Sequence, residues 1–149
     1  MVLIARISII VCSLVITSDC FAQAHHIKCD NCSASSIAYS DNISEMKLYC
    51  FLKRFSFAEC RNAIEYMEYA NSRLFDILKT NSRALIAILN KYPELNIKYL
   101  HDEIKSPLLD YDIRRLIFMV DSVNEDTQIK RQIVADLKTI RIDENGFPK

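Results

Sequence analysis

Glycine is almost absent from this 149-residue chain, which has Gly146 alone, and tryptophan is absent altogether. With one glycine, the chain cannot build a phosphate-cradling loop, a glycine-dependent hairpin turn or the sharp nucleophile elbow of the α/β hydrolases. Charge of one sign is missing too: Lys and Arg total 19, as do Asp and Glu. A neutral chain offers no bulk electrostatic attraction for nucleic acid or for an anionic membrane. Strand-like alternation is also lacking. Ile140-Arg141-Ile142 is the longest hint of it and is too short to count.

What is present begins with an address. Arg6 supplies a positive n-region, and an apolar run from Ile7 to Ile16 follows, interrupted by Ser8 and Ser13. That run is too short for a bilayer-crossing helix, which needs about 20 apolar residues. Ala22-Gln23-Ala24 then fits the small-x-small pattern of signal peptidase. The expectation is a signal peptide over 1–24, cleaved between Ala24 and His25, and a periplasmic or secreted protein with no membrane contact after cleavage. Arg6 and Asp19 would leave together, keeping the mature chain neutral. Cys20 follows Asp19 rather than a small residue, which argues against lipid modification there.

Four cysteines remain beyond the leader: Cys29, Cys32, Cys50 and Cys60. An even number in an exported chain points to disulfides, and four cysteines allow three pairings. The favoured arrangement ties a serine-rich arm, residues 25–40, to the helices that follow. Such bridges close longer loops than a local pairing and restrict the unfolded chain by about 3 kcal/mol each in the entropic account. Cys29-x-x-Cys32 also has thiol-oxidoreductase spacing, but no strand–helix framework accompanies it. His25, His26, Cys29 and Cys32 have metal-ligand chemistry but crowd into eight residues near a terminus, whereas zinc modules draw ligand pairs from separated segments. Neither a metal nor a cofactor is expected.

The rest reads as helices. Asn42/Glu45 and Ser56/Glu59 look like capping boxes. Phe57, Cys60, Ile64, Met67 and Ala70 make a stripe that extends through Leu74, Ile77 and Leu78, predicting one long helix to about Lys79, straight or bent near Asn71. Thr80-Asn81-Ser82 reads as a cluster of caps. Short helices are predicted around Leu85–Tyr92 and Leu95–Ile104, and Ser106-Pro107 as the start of another. Leu109, Ile113, Leu116, Ile117 and Val120 share its buried face, and Ile129, Ile133, Val134, Leu137 and Ile140 define the last helix. The fold expected over 41–142 is an all-α bundle of five or six helices with a disulfide-stapled N-terminal arm and a loose tail over 143–149.

No catalytic set emerges. Glu65 and Glu68 lie on one helical face with Asn62 and Asn71, which reads as solvated, and His101 lies in a polar stretch without a nucleophile beside it. Tyr66 and Tyr69 flank their helix's apolar stripe and are expected half-buried. The chain is therefore read as a binding protein rather than an enzyme.

The cysteines in Tyr49-Cys50-Phe51 and Ala58-Glu59-Cys60, followed by Ile88-Leu89-Asn90-Lys91-Tyr92-Pro93-Glu94-Leu95 and Ile104 to Leu109, resemble one family. These are the periplasmic immunity proteins that protect bacteria from type VI secretion amidase toxins. The family's long-helix glycines are missing here, where Arg61 and Asn62 follow Cys60; its C-terminal cysteine is absent, and the Cys29/Cys32 arm is additional. The resemblance implies a secreted toxin as protein partner, inhibited by occlusion of its active site, and assigns no binding residue. A homodimer is compatible with this reading. A redox or metal-handling protein, or a structural part of an envelope or secretion assembly, are the alternatives.

Overall fold

The structure, a computed structural model, describes residues 43–149. Cleavage residues Ala22, Ala24 and His25, and arm cysteines Cys29 and Cys32, lie outside the described residues. Helix α1 spans Glu45–Arg54. Ser44 caps it, and its hydroxyl accepts from the Lys47 backbone N–H at 3.4 Å; Asn42 lies outside the described residues. Glu45 in the first turn and Lys53 and Arg54 in the last complement the helix dipole. Its buried side holds Leu48, Phe51 and Leu52, and Phe51 meets Phe55 edge-on at 5.4 Å.

The expected long helix from Phe57 to Lys79 is two helices. The single turn α2, Ala58–Arg61, is separated by Asn62 and Ala63 from α3, Ile64–Thr80. Ala63 is extended, and this resets the helical phase. Ile64, which a continuous helix would bury beside Cys60 and Met67, is 74% exposed instead. The Ser56/Glu59 box does not form either, because the Ser56 hydroxyl donates back to the Lys53 carbonyl at 2.6 Å. Cys50 and Cys60 each take part in a disulfide, and Cys60 is fully buried.

Helix α3 is the central element. Its buried positions, Tyr66, Met67, Ala70, Asn71, Leu74, Phe75, Ile77 and Leu78, recur in adjacent pairs at the 3.6-residue period. This wide apolar face lets it touch α2, α4, α5 and α6. Helix α4, Ser82–Lys91, follows after Asn81 alone. Asn81 makes no side-chain cap; the Thr80 and Ser82 hydroxyls instead donate to the carbonyls of Asp76 and Leu78. Pro93–Leu95 forms a 3-10 turn and leads to α5, Lys98–Ile104. Tyr92 at this corner packs edge-on against Tyr49 of α1 at 4.8 Å. Glu45 accepts from Lys91 at 2.6 Å and from the Tyr92 hydroxyl at 2.9 Å, and these bonds hold its carboxyl below the usual range.

Helix α6, Ile113–Asp121, is capped by Asp112, and α7, Gln128–Lys138, by Thr127; each side chain accepts the N–H three residues on. The two pack together, and α7 reaches α5 and α4. The described residues thus form seven α-helices around one core, one more than the upper expectation, because the long helix divides.

The tail is not loose. Ile142 and Pro148 form an antiparallel bridge, and Lys149 donates to the Arg141 carbonyl at 3.0 Å. Asp143 accepts the N–H groups of Asn145 and Phe147 at 2.8 and 2.9 Å, which lowers its pKa. Gly146 takes φ +93°, the left-handed region that favours glycine, and its carbonyl receives the Ile113 N–H at 2.9 Å. The one glycine is therefore spent on docking the C-terminus beside the start of α6. No described helix is long and apolar enough to cross a membrane.

Candidate functional site

The segment 105–112 between α5 and α6 is irregular, yet buried side chains hold it at both ends. At the first end stands Asn71 of α3, fully buried. Its amide nitrogen lies 2.8 Å from the Glu103 carboxylate, 3.2 Å from the Glu103 carbonyl and 3.1 Å from the Ser106 carbonyl. Its amide oxygen accepts the Leu108 N–H at 3.1 Å. One amide thus satisfies a helix end and a loop that would otherwise leave buried backbone groups unpaired. At the second end Tyr111 stacks on Phe75 of α3, with centroids 4.8 Å apart and planes 18° apart. Its hydroxyl donates to the Ser72 carbonyl at 3.0 Å, and burial raises its phenol pKa.

Between these anchors the side chains face water. Leu108 is 56% and Leu109 54% exposed, and Asp110 is exposed as well. The helix expected to start at Ser106-Pro107 begins at Ile113, so Leu109 lies outside the buried face of α6. Two adjacent leucines on a backbone this well fixed are unusual for a solvated loop: large apolar side chains held outward are the material of an interaction surface.

Beyond the loop, α6 carries a further exposed apolar side chain. Ile113, Leu116 and Val120 point into the core, and Phe118 stands on the opposite crest, 73% exposed. On one flank of α6, Met119 and Val123 join Ala84 and Ala87 in an open groove of about 560 Å³, with Lys79 and Arg83 at its edge. On the other flank Arg114 donates to the Glu144 carbonyl of the docked tail at 2.9 Å.

His101, in the stretch that reads as polar, is buried in a second polar cluster. It is 6% exposed, with Nδ1 against the Asp136 carboxylate of α7 and Nε2 2.6 Å from the Asn96 side-chain oxygen. Lys105 stands 3.3 Å from the other Asp136 oxygen. Both ring nitrogens are engaged and no hydroxyl or thiol is among these partners, so the cluster joins α5 to α7 and has no group to activate. Glu65 and Glu68 are exposed, as their spacing predicts, while Asn71 and Tyr66, read as solvated and half-buried, are both buried. Among the described residues no group of three or more His, Cys, Asp or Glu could hold a metal ion. His25 and His26, the other candidate ligands, lie outside them.

The site residue that the sequence reading missed is Asn71. A signal was available: it stands four residues after Met67 and three before Leu74, inside the apolar stripe, where a polar side chain must find buried partners. No protein-family model matches the chain, and no curated protein or solved structure matches it.

Proposed function

We propose that this protein is an exported binding domain whose 106–110 loop docks into a protein partner, and that the partner is a secreted toxin whose active site it occludes. The observation that carries the reading is the outward Leu108-Leu109 pair on a backbone fixed by Asn71 and Tyr111. A loop already ordered before contact loses little conformational entropy on binding, so more of its contact energy appears as affinity. Leu108 and Leu109 are 56% and 54% exposed, so entering an apolar cleft would add about 0.8–1.7 kcal/mol each, together the scale of one interface hot spot. No chemistry of its own is required.

The address fits the task. The leader over 1–24 would deliver the chain to the periplasm, where an imported toxin acts and where disulfides persist. In this reading the bonds at Cys50 and Cys60 reach Cys29 and Cys32, tying the arm to α1 and α2. The resemblance to immunity proteins of type VI amidase toxins names the toxin class.

The test is coexpression in the periplasm with the product of the adjacent gene. The expected result is that wild-type protein restores growth and that Leu108→Ser/Leu109→Ser does not, although it folds normally. Growth arrest that the wild-type protein fails to relieve, with no complex between the purified proteins, would reject the toxin reading.

A further inference from the structure

The turn that docks the C-terminus holds Asn145-Gly146, the one place in the chain where an asparagine precedes a residue without a side chain. A backbone nitrogen can attack the side-chain amide carbon of the asparagine before it, and a side chain on the attacking residue crowds that approach. Gly146 presents only hydrogen there. The turn also demands this glycine, because φ is +93° and a Cβ would lie 3.2 Å from the Asp112 carboxylate. Asn145 itself is exposed, so water reaches its amide. The conformation that docks the tail therefore requires the residue that leaves Asn145 open to attack.

In the folded turn one side chain restrains both reacting groups. The Asp143 carboxylate accepts the N–H groups of Asn145 and Phe147 at 2.8 and 2.9 Å. The Gly146 N–H and the Asn145 side chain bond to it as well. The Gly146 N–H also lies 3.2 Å from the Asp143 carbonyl. Attack requires the Gly146 nitrogen to lose its proton, and a proton shared with a carboxylate and a carbonyl is held in place. Only when the turn opens are the nitrogen and the amide carbon both free.

We infer that Asn145-Gly146 is a site of spontaneous deamidation, closed while the tail is docked and opened when the Asp143 turn lets go. In the open state the Gly146 nitrogen gives its proton to solvent and bonds to Asn145 Cγ. The Cγ–Nδ2 bond breaks, and the nitrogen takes a proton from solvent and leaves as ammonia. The cyclic imide then takes up one water, at one carbonyl to give aspartate and at the other to give isoaspartate. No electrons are exchanged, and water is the sole co-reactant. Isoaspartate routes the main chain through Cβ and Cγ, which lengthens the backbone by one carbon. The Gly146 carbonyl then no longer meets the Ile113 N–H, 2.9 Å away in the docked tail. Modification thus makes the tail's release from α6 permanent. The proposed partner has no part in this, because the probe is the protein itself.

The experiment is peptide mapping by mass spectrometry after incubating the full exported chain, disulfides intact, at mildly alkaline pH, folded and in urea. The expected result is an amide-to-acid mass gain at Asn145, slow in the folded protein and fast in urea, because the folded rate follows the open population. Asp143→Ala loses two bonds to a carboxylate, so its folded rate should rise by about 5–30-fold, while its rate in urea matches wild type. In urea Gly146→Ala should react several-fold more slowly. The isoaspartyl form, isolated by ion exchange, should lose hydrogen-exchange protection at the Ile113 amide. An Asn145 unmodified in urea, or as fast there in Gly146→Ala, would overturn the site. A folded wild-type rate equal to that in urea, a folded Asp143→Ala no faster than wild type, or an Asp143→Ala that differs from wild type in urea would overturn the gate. An isoaspartyl form that keeps Ile113 protected would overturn the release.

Discussion

Replacing Asn71 by alanine removes four polar contacts at one stroke, three acceptors served by the two amide N–H groups, one of them shared, and one N–H bonded to the amide oxygen. Their partners are the Glu103 carboxylate, two carbonyls and the Leu108 N–H, and alanine offers none of them a replacement. A buried polar group left unpaired costs about 1–3 kcal/mol, and water can repair the more exposed Glu103 and Ser106 groups in part. The loss should therefore be about 3–4 kcal/mol, with the Leu108 N–H and one carbonyl bearing most of it. For a domain of this size that lowers the melting temperature by about 10–20 °C. Urea unfolding followed by circular dichroism measures the loss, and hydrogen exchange at the Leu108 amide locates it. Asn71→Asp sharpens the reasoning. It keeps the acceptor for Leu108 but sets a carboxylate oxygen where the nitrogen stood, 2.8 Å from the Glu103 carboxylate. The two carboxylates cannot both ionise at that distance, so the pair would hold a proton in the folded variant that it releases when unfolded. This variant should approach wild-type stability at acid pH and lose it as pH rises through the raised folded value. An Asn71→Ala protein within about 0.5 kcal/mol of wild type, or an Asn71→Asp protein indifferent to pH, would refute the account of the anchor.

Gly146→Ala should destabilise by about 1–2 kcal/mol in thermal unfolding, since φ is +93° there and a Cβ would lie 3.2 Å from the Asp112 carboxylate that caps α6. Asp143 has a carboxyl pKa below its ordinary value because backbone N–H groups, that of Phe147 foremost, bond its ionised form. Its support of the tail is accordingly complete above the unfolded carboxylate value of about 4 and fades as pH falls through the lower folded value; the Ile113 and Phe147 amides should have lower protection factors there, relative to the intrinsic exchange rate at that pH, as in Asp143→Ala at neutral pH. His101→Ala should cost about 2–3 kcal/mol, less than a buried pair with no other partner, because Lys105 still reaches Asp136. Leu108→Ser/Leu109→Ser should change stability by less than about 0.5 kcal/mol in the same unfolding assay while abolishing partner binding.

The helices were legible where an apolar stripe ran uninterrupted. Ile129, Ile133, Val134 and Leu137 are buried as their spacing predicts, and so are Leu85, Ile88 and Leu89. Spacing failed where the backbone changed phase between two apolar residues. Ile64 keeps helical register with Cys60 and Met67 in the sequence, but extended Ala63 between them turns it outward. Leu109 keeps register with Ile113, but the helix starts only at the Asp112 cap. Ser106-Pro107 has the chemistry of a helix start and is held in a loop by an asparagine 35 residues earlier. Periodicity reports which residues would share a face if a helix ran through them; it does not report whether the helix runs.

The same limit explains why the candidate surface was invisible. A residue buried in the core and a residue presented to a partner are the same leucine, and only the fold distinguishes them. Leu109 read as core because four apolar residues followed it at helical spacing. It is an exposed residue because Asn71 and Tyr111 hold the loop backbone away from the helical path. Asn71 in turn read as solvated because asparagine usually is, although its neighbours Met67, Ala70 and Leu74 line the core. The two errors are coupled. A polar residue inside an apolar stripe must find partners from elsewhere, and here the last turn of α5 and the loop after it supply them. Asn71 buried among apolar neighbours therefore points to backbone packed against it, and in the segment that supplies this backbone Tyr111 turns inward onto Phe75 while Leu108 and Leu109 face outward. A reading that followed the asparagine, rather than the leucines, would have reached the loop.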